Sequence, residues 1–458
     1  MIVMYDVAVA GGGIAGCMAA VSAARLGAKV ILIERYGFLG GTLTACGTGP
    51  MMTFHAGRTL AVRGVTNELV ERLKSRGFST GHIFDTTGYT YTVTPFSAEG
   101  MKLVLEEMLT EAGVTLLYHS AVCGVVKEGQ RLRSLEVFGK NGKRSIQADV
   151  FIDASGDCDL SMLAGLGYTK GRKSDGKCQP LTMNFKVTGV DIDRVKQYIM
   201  ANNDEFPRLE GDLGKVTRAC RLSIGGYVKT LEKARSEGRI TFEREDILFF
   251  ETNTPDEVIV NTTRVLNADP TLPEDLTRAE IEGRKQIWEV YELLRERVSG
   301  FEKAQLEFSG PFIGVRSSRQ IKGSYTVTAQ DIVGCRVFDD TIACGGYPID
   351  VHSPDGSDSS MYEKTKLSLG YGDIYTIPFR ALITDGIDNL ITAGRCISAD
   401  FEAQAAIRVS PNAGATGHAA GAAAALCALN KTSVHELDIR TLQKTLLEQD
   451  AYLKIPEE

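Results

Sequence analysis

A histidine and an aspartate stand two residues apart in the segment Tyr347–His352, which reads YPIDVH. Residues two apart share a face in an extended segment, so Asp350 can orient the imidazole of His352. Such a pair can accept or release a proton during a reaction, although a surface-loop histidine is the alternative. We therefore expect His352 to be the first candidate for proton transfer. The second is His55, which follows a glycine-rich segment.

Three arginines could bind an anionic group. Arg316 and Arg319 lie three residues apart in GVRSSR, and Arg408 precedes a predicted helix. A guanidinium group can donate two parallel hydrogen bonds to a carboxylate. These residues favour a substrate with an anionic group, and structural ion pairs are the alternative for each of them.

A phosphate-binding turn is predicted near the start of the chain, where Gly11, Gly13 and Gly16 have the spacing G-x-G-x-x-G. The first glycine permits a tight turn, the second lets the backbone approach a pyrophosphate, and the third lets a helix and a strand pack closely. The free N–H groups and the positive dipole end of the following helix attract phosphates. The motif alone is weak, and a glycine turn in an unrelated βαβ unit is the alternative.

The elements around this turn strengthen the interpretation. A strand is predicted before it over 6–10, an Ala-rich helix follows it, and a second strand over 29–33 ends in Glu34. This acid stands 18 residues after Gly16, close to the spacing at which a carboxylate binds a ribose hydroxyl, and it would repel a 2′-phosphate. We therefore expect dinucleotide binding that disfavours NADP.

The rest of the chain alternates helix and strand patterns. Helices are predicted over 59–78, 97–112, 160–164, 276–299 (apolar face including Ile281), 403–429 and 435–450. Strands are predicted over 114–118, 120–127, 133–138, 143–148, 149–154, 181–190, 239–265 and 389–393, and a loop over 353–373. The predicted fold class is α/β, with a Rossmann-like central parallel sheet and an inserted α+β substrate or cap domain. The predicted boundaries are 1–180, 181–345, 346–430 and 431–458.

Composition limits the kinds of partner. The chain has 458 residues, ten cysteines and a net charge of −7. The acidic balance argues against nucleic-acid and anionic-membrane partners, because phosphate binding needs clustered Lys and Arg. The cysteines form no C-x-x-C pair and no cluster with zinc spacing, so we expect no metal site and reduced thiols. The absence of a signal-peptide pattern predicts a cytoplasmic location.

The order of these motifs resembles one family of flavoproteins. It is similar to the FAD-dependent oxidoreductases of the glutathione-reductase-like superfamily with two dinucleotide-binding domains. The resemblance covers most of the chain. Besides the first motif it rests on GFLGGTLTACG, DVFIDASGDCDLSMLAG at 149–165, IGVRSSRQIKGSYTVTAQDI at 313–332, YPIDVH, and NLITAGRCISADFEAQAAIRVSPNAGATGHAAGAAAAL at 389–426.

The resemblance implies FAD as the cofactor. It implies that the backbone near Val122 touches the adenine and that the helix near Asn412 faces the flavin. It places Cys46 beside the flavin ring, where we favour a small packed residue over a redox thiol or an attachment point. The implied cofactor-binding residues are Gly11, Gly13, Ile14, Ala15, Gly16, Glu34, Arg35, Gly40, Gly41, Thr42, Val122, Ala154, Ser155, Gly156, Gly394, Arg395, Asn412 and Ala413.

One departure from the family pattern matters for the function. No second G-x-G-x-x-G follows the first βαβ unit, so NAD(P)H is either unused or binds transiently. We expect hydride transfer between flavin N5 and a small anionic substrate, together with an unidentified electron donor or acceptor. The alternatives are a flavin monooxygenase or oxidase that uses O₂, a non-catalytic or RNA-directed flavoprotein, and an NAD-binding dehydrogenase. Oligomerisation stays open.

Overall fold

The computed structural model describes residues 4–356 and 369–456. The helices are α1 Ile14–Arg25, α2 Thr42–Ala45, α3 Val65–Ser75, α4 Ala98–Glu111, α5 Asp159–Leu163, α6 Ile192–Ala201, α7 Gly214–Thr217, α8 Val228–Ser236, α9 Pro273–Arg297, α10 Ala329–Val333, α11 Phe401–Ile407, α12 Ser410–Asn430 and α13 Ile439–Glu448. Short 3₁₀ turns cover Asn203–Glu205, Pro207–Leu209, Phe379–Ala381 and Gly394–Cys396.

The strands alternate with these helices. They are β1 Met4–Ala10, β2 Val30–Ile33, β3 Met51–Met52, β4 His55–Ala56, β5 Thr59–Leu60, β6 Ile83–Phe84, β7 Thr92–Thr94, β8 Thr115–Leu117, β9 Ala121–Glu128, β10 Arg131–Gly139, β11 Gly142–Asp153, β12 Tyr168–Lys170, β13 Phe185–Thr188, β14 Ser223–Gly226, β15 Ile247–Glu251, β16 Glu257–Val260, β17 Gln305–Ser309, β18 Arg319–Ile321, β19 Thr341–Gly345, β20 Tyr375–Pro378 and β21 Leu390–Thr392.

The central sheet carries the N-terminal motif and confirms the α/β fold class. Its strand order is β8-β2-β1-β11-β10-β9, and β21 pairs with the end of β11. The pairs β8–β2, β2–β1, β1–β11 and β11–β21 are parallel, whereas β9, β10 and the first half of β11 are antiparallel. The carboxyl ends of β1, β2, β11 and β21 therefore meet at one edge, where a ligand can bind.

Two helices from opposite ends of the chain cover one face of this sheet. Helix α12 packs against α1 so closely that a Cβ on Gly417 would lie 2.1 Å from the carbonyl oxygen of Ala15. A Cβ on Gly421 would lie at the same distance from the carbonyl oxygen of Ala19. The alanines and glycines of these helices therefore set the separation of two layers of backbone.

A second hydrophobic core lies in the middle of the chain. Strands β14-β15-β16-β13-β17 form an antiparallel sheet, and helix α9 packs beside it. The core of this unit draws on residues between Leu181 and Ile313. Strand β18 lies outside it, because Arg319–Ile321 pairs with Tyr168–Lys170. The domain boundaries given above stay predictions.

The helix predicted over 59–78 is too long. Helix α3 begins only at Val65, and Thr59–Leu60 forms β5 instead. Gly64 separates them with a φ of +64°, a left-handed conformation that interrupts a right-handed helix. The apolar residues before Gly64 thus belong to a strand and a turn.

Strand β11 joins two strands that the sequence analysis treats as separate. Gly142–Asp153 is continuous, so the hairpin strand predicted over 143–148 runs directly into the buried strand predicted over 149–154. Its first half pairs with β10 and its last three residues pair with β21. No Gly or Pro interrupts the backbone between the two halves.

Two further predictions are wrong, and a third falls partly outside the described residues. The helix predicted over 403–429 is two helices, because α11 ends at Ile407 and α12 begins at Ser410. Ile281 is 66% exposed, while Ala279 and Gly283 face the core from α9. The loop predicted over 353–373 includes residues 357–368, which lie outside the described residues.

Candidate functional site

The glycine turn after β1 lies directly against Ala154, the residue that follows β11. Gly11 has a φ of +107°, and a Cβ there would lie 2.4 Å from the carbonyl oxygen of Ala154. A Cβ on Gly16 would lie 1.9 Å from the carbonyl oxygen of Gly11, so the third glycine is needed for packing. Gly13 is the N-cap residue of α1, and it provides no side-chain cap. The first N–H groups of α1 thus stay available to an anion.

A hydrogen bond between Glu34 and Gly12 holds the end of β2 against this turn. Glu34 is 7% exposed, and its Oε2 accepts a hydrogen bond from the N–H of Gly12 at 2.6 Å. Its Oε1 accepts one from the N–H of Tyr36 at 2.9 Å. The guanidinium of Arg35 lies 4.8 Å from the ring centre of Tyr36, and the ring of Phe312 stacks on Tyr36 at 4.2 Å. The contact between Tyr36 and Phe312 joins the end of β2 to the segment that follows β17.

The loop after β2 closes over the glycine turn. The N–H of Gly40 donates to the carbonyl oxygen of Gly12 at 2.9 Å. A Cβ on Gly41 would lie 2.9 Å from the Cα of Gly13, so this approach also requires glycine. Cys46 follows α2, and burial raises the pKa of its thiol. Its Sγ lies 2.9 Å from both the carbonyl oxygen of Thr42 and the hydroxyl of Thr48.

A hydrogen-bond network holds the carboxyl end of β11. Asp153 is fully buried and accepts from the N–H and hydroxyl groups of Ser155 and Ser161. Arg395 donates to the carbonyl oxygen of Gly156 and to Asp157, both at 2.7 Å, and also to the carbonyl oxygen of Val315. Arg395 thereby links three separate segments at the edge of the cavity.

The start of α12 is a second uncapped helix end. No side chain caps this helix, so its first N–H groups are free to face a ligand. Gly394 has a φ of +69°, and its N–H donates to the hydroxyl of Thr416 at 3.0 Å. Asn412 donates from Nδ2 to the hydroxyl of Tyr375 at 2.6 Å, while its buried Oδ1 has no partner among the described residues.

One elongated cavity of about 300 Å³ is lined both by these features and by several of the predicted catalytic residues. Most predicted cofactor residues line it, namely Gly11, Gly13, Ile14, Ala15, Glu34, Arg35, Gly41, Thr42, Ala154, Ser155, Gly156, Gly394, Arg395 and Ala413. The predicted His352, Asp350, Arg316 and Arg408 line it as well, and so does Cys46. The cavity therefore brings together residues from both ends of the chain.

The predicted histidine–aspartate pair lies in this cavity. Nε2 of His352 is 3.4 Å from Oδ2 of Asp350, and the same oxygen lies 3.6 Å from Nη2 of Arg408. The hydroxyl of Tyr347 donates to Oδ2 at 3.0 Å. Burial raises the pKa of Asp350, but the hydrogen bond from His352, the charge of Arg408 and the hydrogen bond from Tyr347 outweigh it and hold this pKa well below its usual range. The carboxylate is therefore charged at neutral pH.

The imidazole beside it is neutral at the same pH. Burial and the guanidinium of Arg316 lower the pKa of His352 to about 3, although Asp350 opposes the shift. Arg316 is 8% exposed and donates from Nη1 to the carbonyl oxygen of Pro180 at 2.6 Å. Burial, followed by the nearby guanidinium groups of Arg408 and Arg244, lowers the pKa of Arg316 to about 9. This end of the cavity is therefore positively charged.

Two catalytic candidates lie elsewhere. The Nδ1 of His55 is hydrogen-bonded to Thr92 at 3.0 Å, its ring meets that of His82 edge-on, and it does not line the cavity. Arg319 forms an ion pair with Asp159 and donates to the carbonyl oxygen of Asp157 at 2.8 Å. It lines a neighbouring cavity of about 360 Å³.

Four of the cofactor residues also lie outside the lining of the elongated cavity. Gly16 and Gly40 pack behind the turn, and Asn412 supports the start of α12 from within the protein. Val122 lies in β9 opposite Val137. These four residues do not contribute to the cavity wall.

Sequence reasoning missed the wall that the second core contributes. Thr182, Asn184, Phe250 and Asn261 reach the cavity from this unit. No motif marks them, because antiparallel pairing brings them together from segments almost 80 residues apart. Tyr347 also lines the cavity, and its position in YPIDVH, beside Asp350 and His352, is the sequence feature that indicates this.

No group of three or more His, Cys, Asp or Glu side chains among the described residues could hold a metal ion. Two uncapped helix starts, the glycines that admit close backbone approach and the buried Glu34 instead fit a dinucleotide with a pyrophosphate and a ribose.

Comparison with known families decides between the dinucleotides. A family model described as FAD dependent oxidoreductase matches residues 6–446. This chain belongs to that family. FAD is therefore its cofactor, and the chain is an oxidoreductase. The finer glutathione-reductase-like assignment stays a prediction. No curated protein matches this FAD-dependent oxidoreductase.

Solved structures similar to this FAD-dependent oxidoreductase are all of low sequence identity, and the first named here reaches a TM-score of 0.50. A geranylgeranyl bacteriochlorophyll reductase-like protein from Thermoplasma acidophilum is 13% identical, with a TM-score of 0.50, over 98% of this chain and 84% of that chain. The p-nitrophenol 4-monooxygenase PnpA from Pseudomonas putida is 12% identical, with a TM-score of 0.47, over 98% and 85%. The flavin-dependent brominase Bmp2 is 14% identical, with a TM-score of 0.48, over 97% and 83%.

Among residues 4–356 and 369–456, no helix combines the length and the apolar character needed to cross a bilayer.

Proposed function

We propose that this FAD-dependent oxidoreductase transfers hydride between flavin N5 and a small organic anion. Arg316 and Arg408 bind the anionic group, and His352, which Asp350 orients, moves the accompanying proton. The observation that carries the proposal is the buried Arg316, which has no carboxylate within 4.0 Å among the described residues although it lines the FAD cavity. When bound, FAD supplies the hydride chemistry.

Charge supports an anionic substrate. Arg316 and Arg408 place two guanidinium groups at one end of the cavity. Burial lowers the pKa of Arg316, and so do the charges of Arg408 and of Arg244, which lies outside the cavity lining and is paired with Asp246. A buried group of like charges is stabilised by an anion that accepts hydrogen bonds from more than one of them. A substrate carboxylate would meet this need directly.

The position of the histidine supports a role in proton transfer. Asp350 contacts Nε2 of His352 and therefore favours the tautomer with a proton on Nε2. Nδ1 is then the atom that accepts or returns a proton. The hydrogen bond from Tyr347 and the ion pair with Arg408 fix the carboxylate, so the ring keeps a defined orientation.

A comparison of acids with their esters tests this proposal. The FAD-loaded protein is mixed without oxygen with small carboxylic acids, and loss of the visible absorbance of the oxidised flavin is followed. The reduced protein is mixed in parallel with unsaturated and oxo acids, and return of the band is followed. We expect a reactive acid whose methyl ester is inactive, and loss of the reaction in Arg316→Gln but not in Arg380→Gln, an exposed arginine paired with Asp340. Equal reaction of acid and ester would contradict the proposal, as would oxygen insertion into the product.

A further inference from the structure

Two buried glutamines lie between the segments that carry Arg316 and His352. Gln179 is 0% exposed and Gln404 is 1% exposed, and neither side chain lines the FAD cavity. We infer that Gln179 and Gln404 are positioning residues, which hold the anion-binding Arg316 in a fixed place relative to His352. This inference rests on the proposed function and adds to it the residues that set the geometry of its site.

The two side chains form one continuous series of hydrogen bonds, the amide chain. The backbone N–H of His352 donates to Oε1 of Gln179 at 3.2 Å. Nε2 of Gln179 donates to Oε1 of Gln404 at 3.2 Å, and Nε2 of Gln404 donates to the carbonyl oxygen of Arg316 at 3.0 Å. The amide chain therefore begins at the backbone of one active-site candidate and ends at the backbone of another.

The two ends fix the direction of every bond in the amide chain. A backbone N–H can only donate and a backbone carbonyl oxygen can only accept, so each side chain between them must accept at one atom and donate at another. A primary amide does both. A carboxylate at position 404 would have no donor for Arg316, and a methionine at either position would offer only a weakly accepting sulfur.

The backbone at Gln179 contacts the Arg316 segment directly. Its N–H donates to the hydroxyl of Ser317, the residue after Arg316, at 2.8 Å. The next residue, Pro180, accepts from Nη1 of Arg316 at 2.6 Å. The segment 179–180 is thus bonded to the side chain of Arg316, while the side chain of Gln179 reaches His352.

Gln404 is bonded to the backbone of both arginines of the proposed anion site. It lies in α11, and its carbonyl oxygen accepts from the N–H of Arg408, the C-cap residue of that helix, at 3.0 Å. Its side chain meanwhile donates to the carbonyl oxygen of Arg316. One residue therefore links the two backbone positions from which the guanidinium groups extend.

A fixed arrangement of these segments favours anion binding. A site whose groups already stand in place loses less conformational freedom on binding than a site whose groups must first be ordered. Without the amide chain, the carbonyl oxygen of Arg316 loses its buried donor, and the two arginines can shift relative to each other. We therefore expect both glutamines to affect anion affinity although neither contacts the anion.

Calorimetric titration of the FAD-loaded protein with oxalate measures this affinity without turnover. Arg316→Gln should weaken oxalate binding about 30-fold or more, as expected for loss of one partner of a buried charged hydrogen bond. Gln404→Met and Gln179→Met should each weaken it about tenfold, the loss expected when a buried hydrogen bond is removed, and both should keep FAD.

Gln443→Met is the matched control. Gln443 is also buried, at 2% exposed, and donates from Nε2 to the carbonyl oxygen of Asp339 at 2.8 Å. It lies in α13 and does not line the cavity. This variant should bind oxalate as the unaltered protein does.

A double variant distinguishes positioning from a general loss of structure. In Arg316→Gln, the guanidinium that the amide chain positions is already gone. Adding Gln404→Met should then weaken oxalate binding by less than about twofold further, because residues that act through one another do not have additive effects. A merely structural role would give the same tenfold loss with and without Arg316.

The outcomes separate this inference from the proposed function. If both glutamine variants bind oxalate like the unaltered protein, or if their loss is the same with and without Arg316, the inference is wrong while the anion site stands. Loss of FAD from both variants would also contradict it, because the amide chain would then support the fold and not the anion site. If Arg316→Gln and the unaltered protein bind oxalate equally or not at all, the anion site of the proposed function is wrong and the inference falls with it.

Discussion

Gly11 has two separate reasons to be glycine. Its φ of +107° is strained for any other residue, and a Cβ there would overlap the carbonyl oxygen of Ala154 at 2.4 Å. Gly27 has a similar φ of +93°, yet nothing lies within 4 Å of its Cβ position. A side chain would strain the backbone at either position, but only a side chain at Gly11 would also clash with a neighbouring atom. Gly27 is therefore a matched control.

Gly11→Ala should weaken FAD binding about tenfold or more, because about 1.4 kcal/mol corresponds to a factor of ten and overpacking of this kind costs about that much. Gly27→Ala should lose some stability but bind FAD with unchanged affinity. Equilibrium dialysis of each apoprotein with FAD measures this. Equal losses of affinity in the two variants would show that strain, and not the approach to β11, governs the turn.

The lowered pKa of His352 has a consequence for the pH profile. With a pKa of about 3, the free enzyme keeps a neutral imidazole from pH 5 to pH 8. For the substrate that the screens above identify, kcat/KM should be flat on the acid side of neutrality and fall only as the pH approaches 3, where protonation removes the acceptor. A stopped-flow series of flavin reduction at constant ionic strength checks this. A limb near pH 6.5 that disappears in His352→Gln would contradict it.

The sequence predicts single residues where their role is local. The glycine spacing, Glu34 and the His352–Asp350 pair are all encoded within a few dozen residues, and the structure places them around one cavity. The partners of Arg316 and Arg319 could not be predicted in this way. Arg319 is directed to Asp159 by the pairing of β12 with β18, a contact between segments about 150 residues apart.

At the scale of elements, the packing of α1 against α12 depends on the absence of side chains. A Cβ at Gly421 would lie 2.1 Å from the carbonyl oxygen of Ala19, closer than any atoms can pack. Gly421→Ala should therefore lower the free energy of unfolding by about 1–3 kcal/mol, despite the better helix propensity of alanine.

Denaturant titration of the apoprotein measures this change, and Leu429→Ala is the control. Leu429 lies in the same helix, is 49% exposed and should change stability by less than about 0.5 kcal/mol. If Gly421→Ala is as stable as the unaltered protein, the two helices can separate without cost.

Element boundaries could be predicted where a local signal exists. Ser97 caps α4 through the N–H of Gly100, as its position suggests, and Pro411 stands in the first turn of α12. The start of α3 could not be predicted from periodicity, because the apolar spacing continues across Gly64 although the backbone of Gly64 is left-handed and ends the strand-and-turn segment there. The exposure of Ile281 could not be predicted either, because the packing of neighbouring elements decides which face of the 25-residue helix α9 is buried.

At the scale of the whole molecule, burial lowers the pKa of four histidines, namely His55, His82, His352 and His418. Burial lowers the pKa of His82 and of His418 to about 4, and that of His352 to about 3, against an ordinary value of 6.5. The unfolded chain binds these protons first as the pH falls. The stability due to the neutral histidines is thus complete above pH 6.5 and is lost progressively as the pH falls toward 4.

The melting temperature of the apoprotein should therefore decrease between pH 7 and pH 4.5. His418→Gln should show a shallower decrease, because one titrating group is gone while an N–H donor for Gln449 remains in place of Nε2, which lies 2.6 Å from that side chain. Differential scanning calorimetry across this range is the measurement. Parallel curves for the two proteins would mean that His418 does not contribute.

The arrangement of the FAD site also affects how the protein is made. Helix α1 ends at Arg25, and α12, which covers it and provides the other helix start, begins 385 residues later at Ser410. At about 5–20 residues per second, the ribosome delivers the second half of the site roughly 20–80 s after the first. During that interval the alanine-rich surface of α1 has no covering partner. We therefore expect cofactor loading to be a late event of biosynthesis, which follows synthesis of α12.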